Sequence, residues 1–216
     1  RTSLAGVILT MMDLNLGAIE EFPFLEPPST AIIKEGYRRL ALLDAIKPVS
    51  EKDSDDSAWR LTRLGRNLAH LPVGPVLGAI LFAADHERAL RDTLIVVAGL
   101  ECDNPKRRPI DKKQEADRCH ARFLTPNSDF SAMLKLWRWY AGETKGCSQS
   151  RIRKLCKENY LSYPKMREWI DLHAQLREIC RGLRMDVESH TGGEDGMHRA
   201  LLRGLIANIG KRDPET

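Results

Sequence analysis

After Pro72, this chain consists of helix-like segments separated by short breaks, which restricts most of it to a helical bundle. Apolar residues recur at helical spacing in each segment, and the breaks carry the proline, glycine and asparagine residues that end helices. Short connections favour antiparallel neighbours. Helices are predicted over 75–86, 89–100, 111–123, 128–142, 148–160 and 163–183.

The first seventy residues follow a different pattern. A helix is predicted over 2–12, and the prolines at 23, 27 and 28 predict an extended linker, because proline fixes φ and restricts the residue before it. A second helix is predicted over 30–43. Its expected buried residues are Ile32, Ile33, Tyr37, Leu40 and Leu43.

Two short strands complete this part of the chain. They are predicted over 45–49 and 58–61, on either side of a polar loop, and Thr62 is expected to cap a last helical turn. Helices followed by a β-hairpin form a small winged-helix pattern. The fold class expected for the whole chain is therefore mainly α, with a winged-helix domain followed by a helical bundle.

The charge of the chain is concentrated in its middle. The net charge is +4 overall and +6 over residues 71–187, while each flanking segment carries −1. A polyanion would therefore contact the middle segment. A solvated helical surface that binds no partner carries such an excess equally well.

Other features limit the class of protein. No apolar run approaches the roughly 20 residues that span a bilayer, so no membrane partner is expected. The odd number of cysteines, without metal-type spacing, indicates free thiols in the cytoplasm. Because the chain starts at Arg1 inside an amphipathic pattern, we interpret it as a fragment of a longer protein.

The residues offer no independent enzyme. A Gly-rich loop ending in Gly-Lys-Ser/Thr and an Asp-Glu-Ala-His box are both missing, so nothing in the sequence would hold ATP phosphates or Mg²⁺. Cys119 and His120 would project about 100° apart on a helix, which does not make a nucleophile–base pair. We predict no catalytic residue, no metal ligand and no cofactor within this chain.

Several blocks, in order along the chain, resemble the region that follows the motor domains of bacterial DEAH-box RNA helicases of the HrpA type. Residues 22–28 read Phe-Pro-Phe-Leu-Glu-Pro-Pro, and residues 61–66 read Leu-Thr-Arg-Leu-Gly-Arg before Leu-Pro-Val at 71–73. Further blocks that resemble the family lie at 100–109, 116–123, 128–137 and 198–205.

The resemblance implies three parts: a winged-helix domain over 1–70, a helical ratchet-like domain over 71–187, and a linker with the truncated start of an OB-fold over 188–216. It also implies that these parts pack on upstream motor domains, which would bind ATP and Mg²⁺, and on a downstream OB-fold. Together they would form part of a channel that binds single-stranded RNA without sequence preference, while the motor domains move the strand 3′ to 5′. A ribosome-linked protein is a further candidate partner.

One candidate RNA contact lies on the helix from Ser128. An apolar stripe of Phe130, Met133, Leu134, Trp137 and Ala141 is expected on one side and a polar, basic stripe on the other. A capped helix start beside basic side chains can follow a nucleic-acid backbone without reading bases. The candidate residues are Asn127, Ser128, Asp129, Ser131, Lys135 and Arg138. An ordinary solvated helix face is the alternative.

Two further basic clusters are candidates. Arg151, Arg153, Lys154 and Lys157 are expected to point outward from a helix that buries Ile152, Leu155 and Cys156. These four cations are predicted RNA contacts, although scattered solubility charges explain them equally. The loop Arg107, Arg108 and Pro109 is predicted to act between domains.

Two other functions remain open from the sequence. The chain could be a docking module that never touches RNA, or a winged-helix regulator that binds DNA. Against the regulator, the wing loop carries Glu51, Asp53, Asp55 and Asp56 with Lys52 alone, and carboxylates repel a phosphate backbone.

Overall fold

The computed structural model describes residues 4–49 and 59–210, and within these residues the chain is mainly helical. The expected acidic wing loop, 51–56, lies outside the described residues. The chain forms two compact units, with boundaries inside two of its helices. One unit comprises the described residues up to Ala83 together with those from Arg199 onward, and the other comprises Ala84–His198.

The first unit is built mainly from helices and one hairpin. Its elements are α1 (Leu4–Asp13), α2 (Thr30–Leu42), β1 (Ile46–Pro48), β2 (Trp59–Leu61) and α3 (Arg63–Ala69), followed by most of α4 (Pro75–His86). The two strands pair antiparallel, with Ile46 opposite Leu61. Helix α1 packs against α2 and α3, which buries Ile8 and Leu9.

The expected core face of α2 is wrong at Ile32. Ile33 and Leu40 are buried, whereas the Ile32 side chain is 54% exposed. Successive helical residues project about 100° apart, so a face centred on Ile33, Gly36 and Leu40 turns Ile32 toward solvent.

The structure explains the Leu-Thr-Arg-Leu-Gly-Arg block. Thr62 caps α3 as expected, because its hydroxyl accepts the Gly65 N–H at 3.0 Å while donating to the Asp44 carbonyl at 2.7 Å. A Cβ at residue 65 would lie 2.0 Å from the Ala45 carbonyl oxygen. This close approach of the helix to the residue before β1 requires glycine.

The second unit is a bundle of helices. It contains α5 (Leu90–Glu101), α6 (Lys113–Ala121), α7 (Asp129–Thr144), α8 (Gln149–Glu158), α9 (Tyr163–Gly182) and the first turns of α10 (Gly193–Leu205). Helix α5 lies against α7 and α9, and α8 packs on α9. Leu94, Leu134, Trp169 and Leu176 form its fully buried centre.

The single helix expected over 111–123 is wrong at both ends. A 3₁₀ turn occupies Ile110–Lys112, where the Lys112 N–H bonds the Pro109 carbonyl at 3.1 Å, and α6 begins only at Lys113. The φ of −129° at Lys112 interrupts the helical path. At the other end α6 stops at Ala121, so that Phe123 turns into the core.

Candidate nucleic-acid interface

A groove on the second unit gathers predicted residues from two distant parts of the sequence. We call it the basic groove: a cavity of about 870 Å³ between the loop that precedes α6 and the α8–α9 turn. Its cationic side chains are Arg107, Lys112, Arg153, Lys154 and Lys157. Two carboxylates, Asp111 and Glu158, also line it, which leaves three positive charges in excess.

Backbone hydrogen bonds hold the two walls of the basic groove together. The Arg107 N–H donates to the Tyr160 carbonyl and the Ser162 N–H donates to the Pro105 carbonyl, both at 2.8 Å. Lys106 and Leu161 form an isolated antiparallel bridge between these bonds. The loop therefore lies against the α8–α9 turn as a short two-stranded junction, which fixes Arg107 beside the cations of α8.

The cations of α8 point outward, as expected. Cys156 is buried and Ile152 and Leu155 are half-buried, which leaves Arg153 and Lys157 exposed on the opposite side. The Arg153 guanidinium lies 5.2 Å from the centre of the Tyr163 ring, a cation–π contact. Lys154 pairs with Glu158 at 3.8 Å, one helical turn away.

Two tyrosines in the basic groove were missed by sequence reasoning. The Tyr160 hydroxyl donates to Glu115 Oε2 at 2.5 Å, and this hydrogen bond raises the pKa of Tyr160 to about 12. The Tyr163 hydroxyl donates to Gln149 Oε1, while one face of its ring meets Arg153. Both hydroxyls therefore already have hydrogen-bond partners, and both residues line the groove. Their place in the sequence could have indicated this role, because a tyrosine stands on each side of Leu-Ser directly after a basic helix.

The three residues of the expected interdomain loop have different surroundings. Arg107 and Pro109 line the basic groove. Arg108 instead forms an ion pair with Asp117 of α6 at 2.6 Å, on the surface of the same unit. Its charge is compensated there.

The start of α7 lies apart from the basic groove and is tied to α10. Ser128 caps the helix by accepting the Ser131 N–H at 3.1 Å, and its hydroxyl lies 2.8 Å from Nε2 of His198. The Ser131 hydroxyl donates to Glu194 at 2.9 Å. Asn127 adopts a left-handed φ of 66° before the cap, and Asp129 is exposed in the first turn.

The expected polar stripe of α7 is wrong at one position. Lys135 and Arg138 are exposed, but the Ser131 residue is only 4% exposed. A hydroxyl can be buried where it finds a hydrogen-bond partner, and Glu194 supplies one. Ala141, expected on the apolar stripe, is exposed.

The remaining cations differ in their partners. Arg138 forms an ion pair with Asp92 of α5 at 2.7 Å, and Lys135 reaches the Leu124 carbonyl at 3.4 Å. Arg151 is exposed on α8 but does not line the basic groove. Of the ten predicted RNA contacts, the structure brings only Arg153, Lys154 and Lys157 together in the basic groove.

Within residues 4–49 and 59–210, His, Cys, Asp and Glu side chains form no group suited to a metal ion. Among the same residues, every helix is too short or too polar to cross a membrane.

Comparison with known proteins gives matches that cover the whole of this chain. No protein-family model matches the chain. The chain is 40% identical over 215 residues to the ATP-dependent RNA helicase HrpA of Escherichia coli (strain K12), and 37% identical over 215 residues to the HrpA homolog of Haemophilus influenzae. Each match covers 100% of this chain and 16% of the relative.

A eukaryotic relative matches more weakly. The pre-mRNA-splicing factor ATP-dependent RNA helicase prp22 of Schizosaccharomyces pombe is 29% identical over 213 residues, which is 99% of this chain and 17% of that protein. The chain thus spans about a sixth of the length of these curated relatives. Over its whole length, the chain is homologous to one region of the HrpA-type ATP-dependent RNA helicases.

Proposed function

We propose that this region guides single-stranded RNA in an ATP-dependent RNA helicase, and that the basic groove holds the sugar–phosphate backbone. The observation that carries the proposal is the meeting of Arg107 with Arg153 and Lys157 in one electropositive cleft of a chain homologous to RNA helicases. Cations that face solvent and are held on a rigid wall can contact phosphates without reading bases.

The wider architecture belongs to the same proposal. Residues 1–70 would be the winged-helix domain, 71–187 the ratchet-like domain, and 188–216 the linker and start of an OB-fold. They would pack on upstream motor domains that use ATP and Mg²⁺, and the assembly would work in the cytoplasm. The region itself would lack catalytic residues and would contribute one wall of the RNA channel.

The composition of the basic groove suits a flexible strand. Lys157 forms no ion pair with another described residue, and the hydrogen bonds of Arg107 go only to uncharged groups, the Tyr160 carbonyl and the Ser162 hydroxyl. The Tyr163 ring lines the groove and would stack a base on the face that Arg153 does not cover, and such stacking accepts any base. A single strand can bring both phosphates and bases to such a surface, whereas a duplex keeps its bases stacked inside.

A docking role for the first unit has its own support. Large apolar side chains are exposed there, among them Leu14 (60%), Leu25 (104%) and Ile32 (54%). Where such side chains are contiguous, they mark interaction sites. We propose that this unit packs on another part of the helicase while the second unit contacts RNA.

Titration of this chain with a fluorescent single-stranded oligonucleotide tests RNA binding. Fluorescence anisotropy is measured at about 50 mM and about 200 mM salt, where affinity should fall with a log–log slope of about −0.7 per phosphate contacted. The double variant Arg153→Glu/Lys157→Glu should bind at least about tenfold more weakly and show a shallower slope.

Arg181→Glu is the matched control. Arg181 is an exposed cation of α9 that pairs with Glu178 and does not line the basic groove. It should leave the affinity within about twofold, the range expected where only screened long-range charge changes. Equal weakening by both variants, or no binding at the lower salt, would contradict the proposed RNA contact.

A further inference from the structure

A second cavity of the bundle has a chemistry that the basic groove lacks. It measures about 420 Å³ and lies where the start of α5, the middle of α7 and α9 meet. We call it the arginine–histidine pocket, after Arg91, Arg138, Arg177 and His173; Asp92 and Trp137 also line it. None of its residues lines the basic groove.

Ion pairs with Asp92 orient two arginines of the pocket but leave some of their N–H donors unused. Asp92 accepts from Arg138 at 2.7 Å and from Arg91 at 3.4 Å, one guanidinium on each carboxylate oxygen. The Asp92 side chain is only 15% exposed, whereas those of Arg91 and Arg138 are 43% and 55% exposed. Each guanidinium has five N–H donors, so both keep donors that face solvent.

The charge balance of the pocket favours an anion. Arg177 pairs with Glu188, so the three guanidiniums of the pocket have two carboxylate partners, Asp92 and Glu188. One positive charge remains uncompensated. Planar guanidiniums pair well with phosphate oxygens because their forked donors match the spacing of those oxygens.

His173 supplies the neutral polar group of the pocket. Its ring lies 4.7 Å from the Trp137 ring, and its nitrogens make no hydrogen bond to another described residue. Burial, aided by the charge of Arg177, lowers the pKa of His173 to about 4, so the ring is neutral at pH 7. A neutral imidazole has one donor and one acceptor.

We propose that the arginine–histidine pocket binds one ribose–phosphate unit of RNA, with the guanidiniums of Arg91 and Arg138 on the phosphate and His173 on the ribose 2′-hydroxyl. The inference rests on the proposed RNA-binding function and adds to it a preference for RNA over DNA. A hydroxyl both donates and accepts, which matches the two nitrogens of a neutral imidazole. Because DNA lacks the 2′-hydroxyl, the pocket distinguishes RNA from DNA at any base sequence.

The test compares RNA and DNA strands of one sequence and length in the anisotropy assay at pH 7. We expect the chain to bind RNA about fivefold more tightly, the scale of one net hydrogen bond. His173→Phe keeps an aromatic ring against Trp137 and removes both nitrogens, so it should abolish the preference. His173→Gln retains a donor and an acceptor and should preserve most of it.

The charge-reversal variant of the basic groove separates the two proposals. Arg153→Glu should weaken RNA and DNA equally and leave their ratio unchanged, because phosphates are common to both strands. Equal binding of RNA and DNA by the unmodified chain overturns the pocket inference alone. An RNA preference that survives His173→Phe, in protein with an unchanged circular dichroism spectrum, also overturns it. Failure to bind either strand overturns both proposals.

Discussion

The indole N–H of Trp169 donates a hydrogen bond to the Ile95 carbonyl oxygen at 2.8 Å, entirely within the interior of the second unit. Trp169 is 1% exposed and Ile95 7% exposed. The bond joins α9 to α5, and the Trp137 ring of α7 lies 5.3 Å away. One side chain therefore contacts all three of the helices that line the arginine–histidine pocket.

Replacing Trp169 should destabilise the bundle strongly. Among the described residues, Trp169 has the largest fully buried side chain, and Trp169→Ala should lower the free energy of unfolding by about 3–5 kcal/mol. Trp169→Phe should cost less, since it keeps most of the packing and loses the hydrogen bond. Urea unfolding followed by circular dichroism measures both. Ile110→Ala is the control, because Ile110 is 99% exposed and should change stability by at most about 0.5 kcal/mol.

Two helical glycines should respond with opposite sign to the same substitution. A Cβ on Gly99 would lie 2.4 Å from Met133 Cε and 2.7 Å from the Trp169 ring, so Gly99→Ala should cost about 1–3 kcal/mol through overpacking. Gly142 has no atom within 4 Å of such a Cβ, and Gly142→Ala should stabilise by about 0.5–1 kcal/mol because alanine favours the helix. Thermal unfolding midpoints that move in the same direction would contradict this packing.

Loss of the N-cap of α7 should lower the free energy of unfolding more than loss of the N-cap of α8. His198 Nδ1 lies 2.8 Å from the Glu194 carbonyl and must carry the proton, so Nε2 accepts from the Ser128 hydroxyl. Ser128→Ala loses this bond and the cap, for an expected cost of about 1–3 kcal/mol.

Ser148→Ala is the matched substitution at the start of α8. The cap bond from the Arg151 N–H is 3.4 Å long and exposed, so the cost should be about 0.5 kcal/mol. Urea unfolding of both variants gives the comparison. An equal or larger loss from Ser148→Ala would show that the contact to His198 contributes nothing.

The stability of the second unit should fall between about pH 6.5 and about pH 4 because of His173. Burial lowers the pKa of His173 from 6.5 to about 4, so in this window the unfolded chain binds a proton that the folded chain does not. The stabilisation that comes from keeping His173 neutral is complete above the pKa of His173 in the unfolded chain, and it is lost as the pH falls toward the pKa in the folded chain. His173→Phe should flatten this part of a plot of unfolding midpoint against pH. His190→Phe, at an exposed position, should leave the slope unchanged.

Local chemistry made several features predictable from sequence. Apolar spacing set the outward direction of Arg153 and Lys157, because an α-helix that buries Cys156 must turn residues on the opposite side to solvent. Thr62 was recognisable as a cap, and the cap of α7 was expected at Ser128 or Asn127; in the structure the hydroxyls of Thr62 and Ser128 accept from amides only three residues away. Such features depend on a few neighbouring residues, whatever the helix later packs against.

Contacts between distant residues could not be predicted in this way. Ser131 was expected on an exposed stripe with Lys135, yet a carboxylate 63 residues later accepts a hydrogen bond from its hydroxyl and allows its burial. Arg138 pairs with Asp92, 46 residues earlier. Helical periodicity gives the direction of a side chain relative to its own helix, but carries no information on which helix faces it.

The sequence by itself therefore determined where most helices lie, the cap at Thr62, the outward cations of α8 and the resemblance to RNA helicases, because each depends on short-range spacing or on ordered blocks of residues. Only the tertiary structure decided that Arg107 meets α8 in one groove and that His173 shares a pocket with three arginines. The physical reason is that these groups approach through helix packing and loop pairing, which depend on how the whole core fills space.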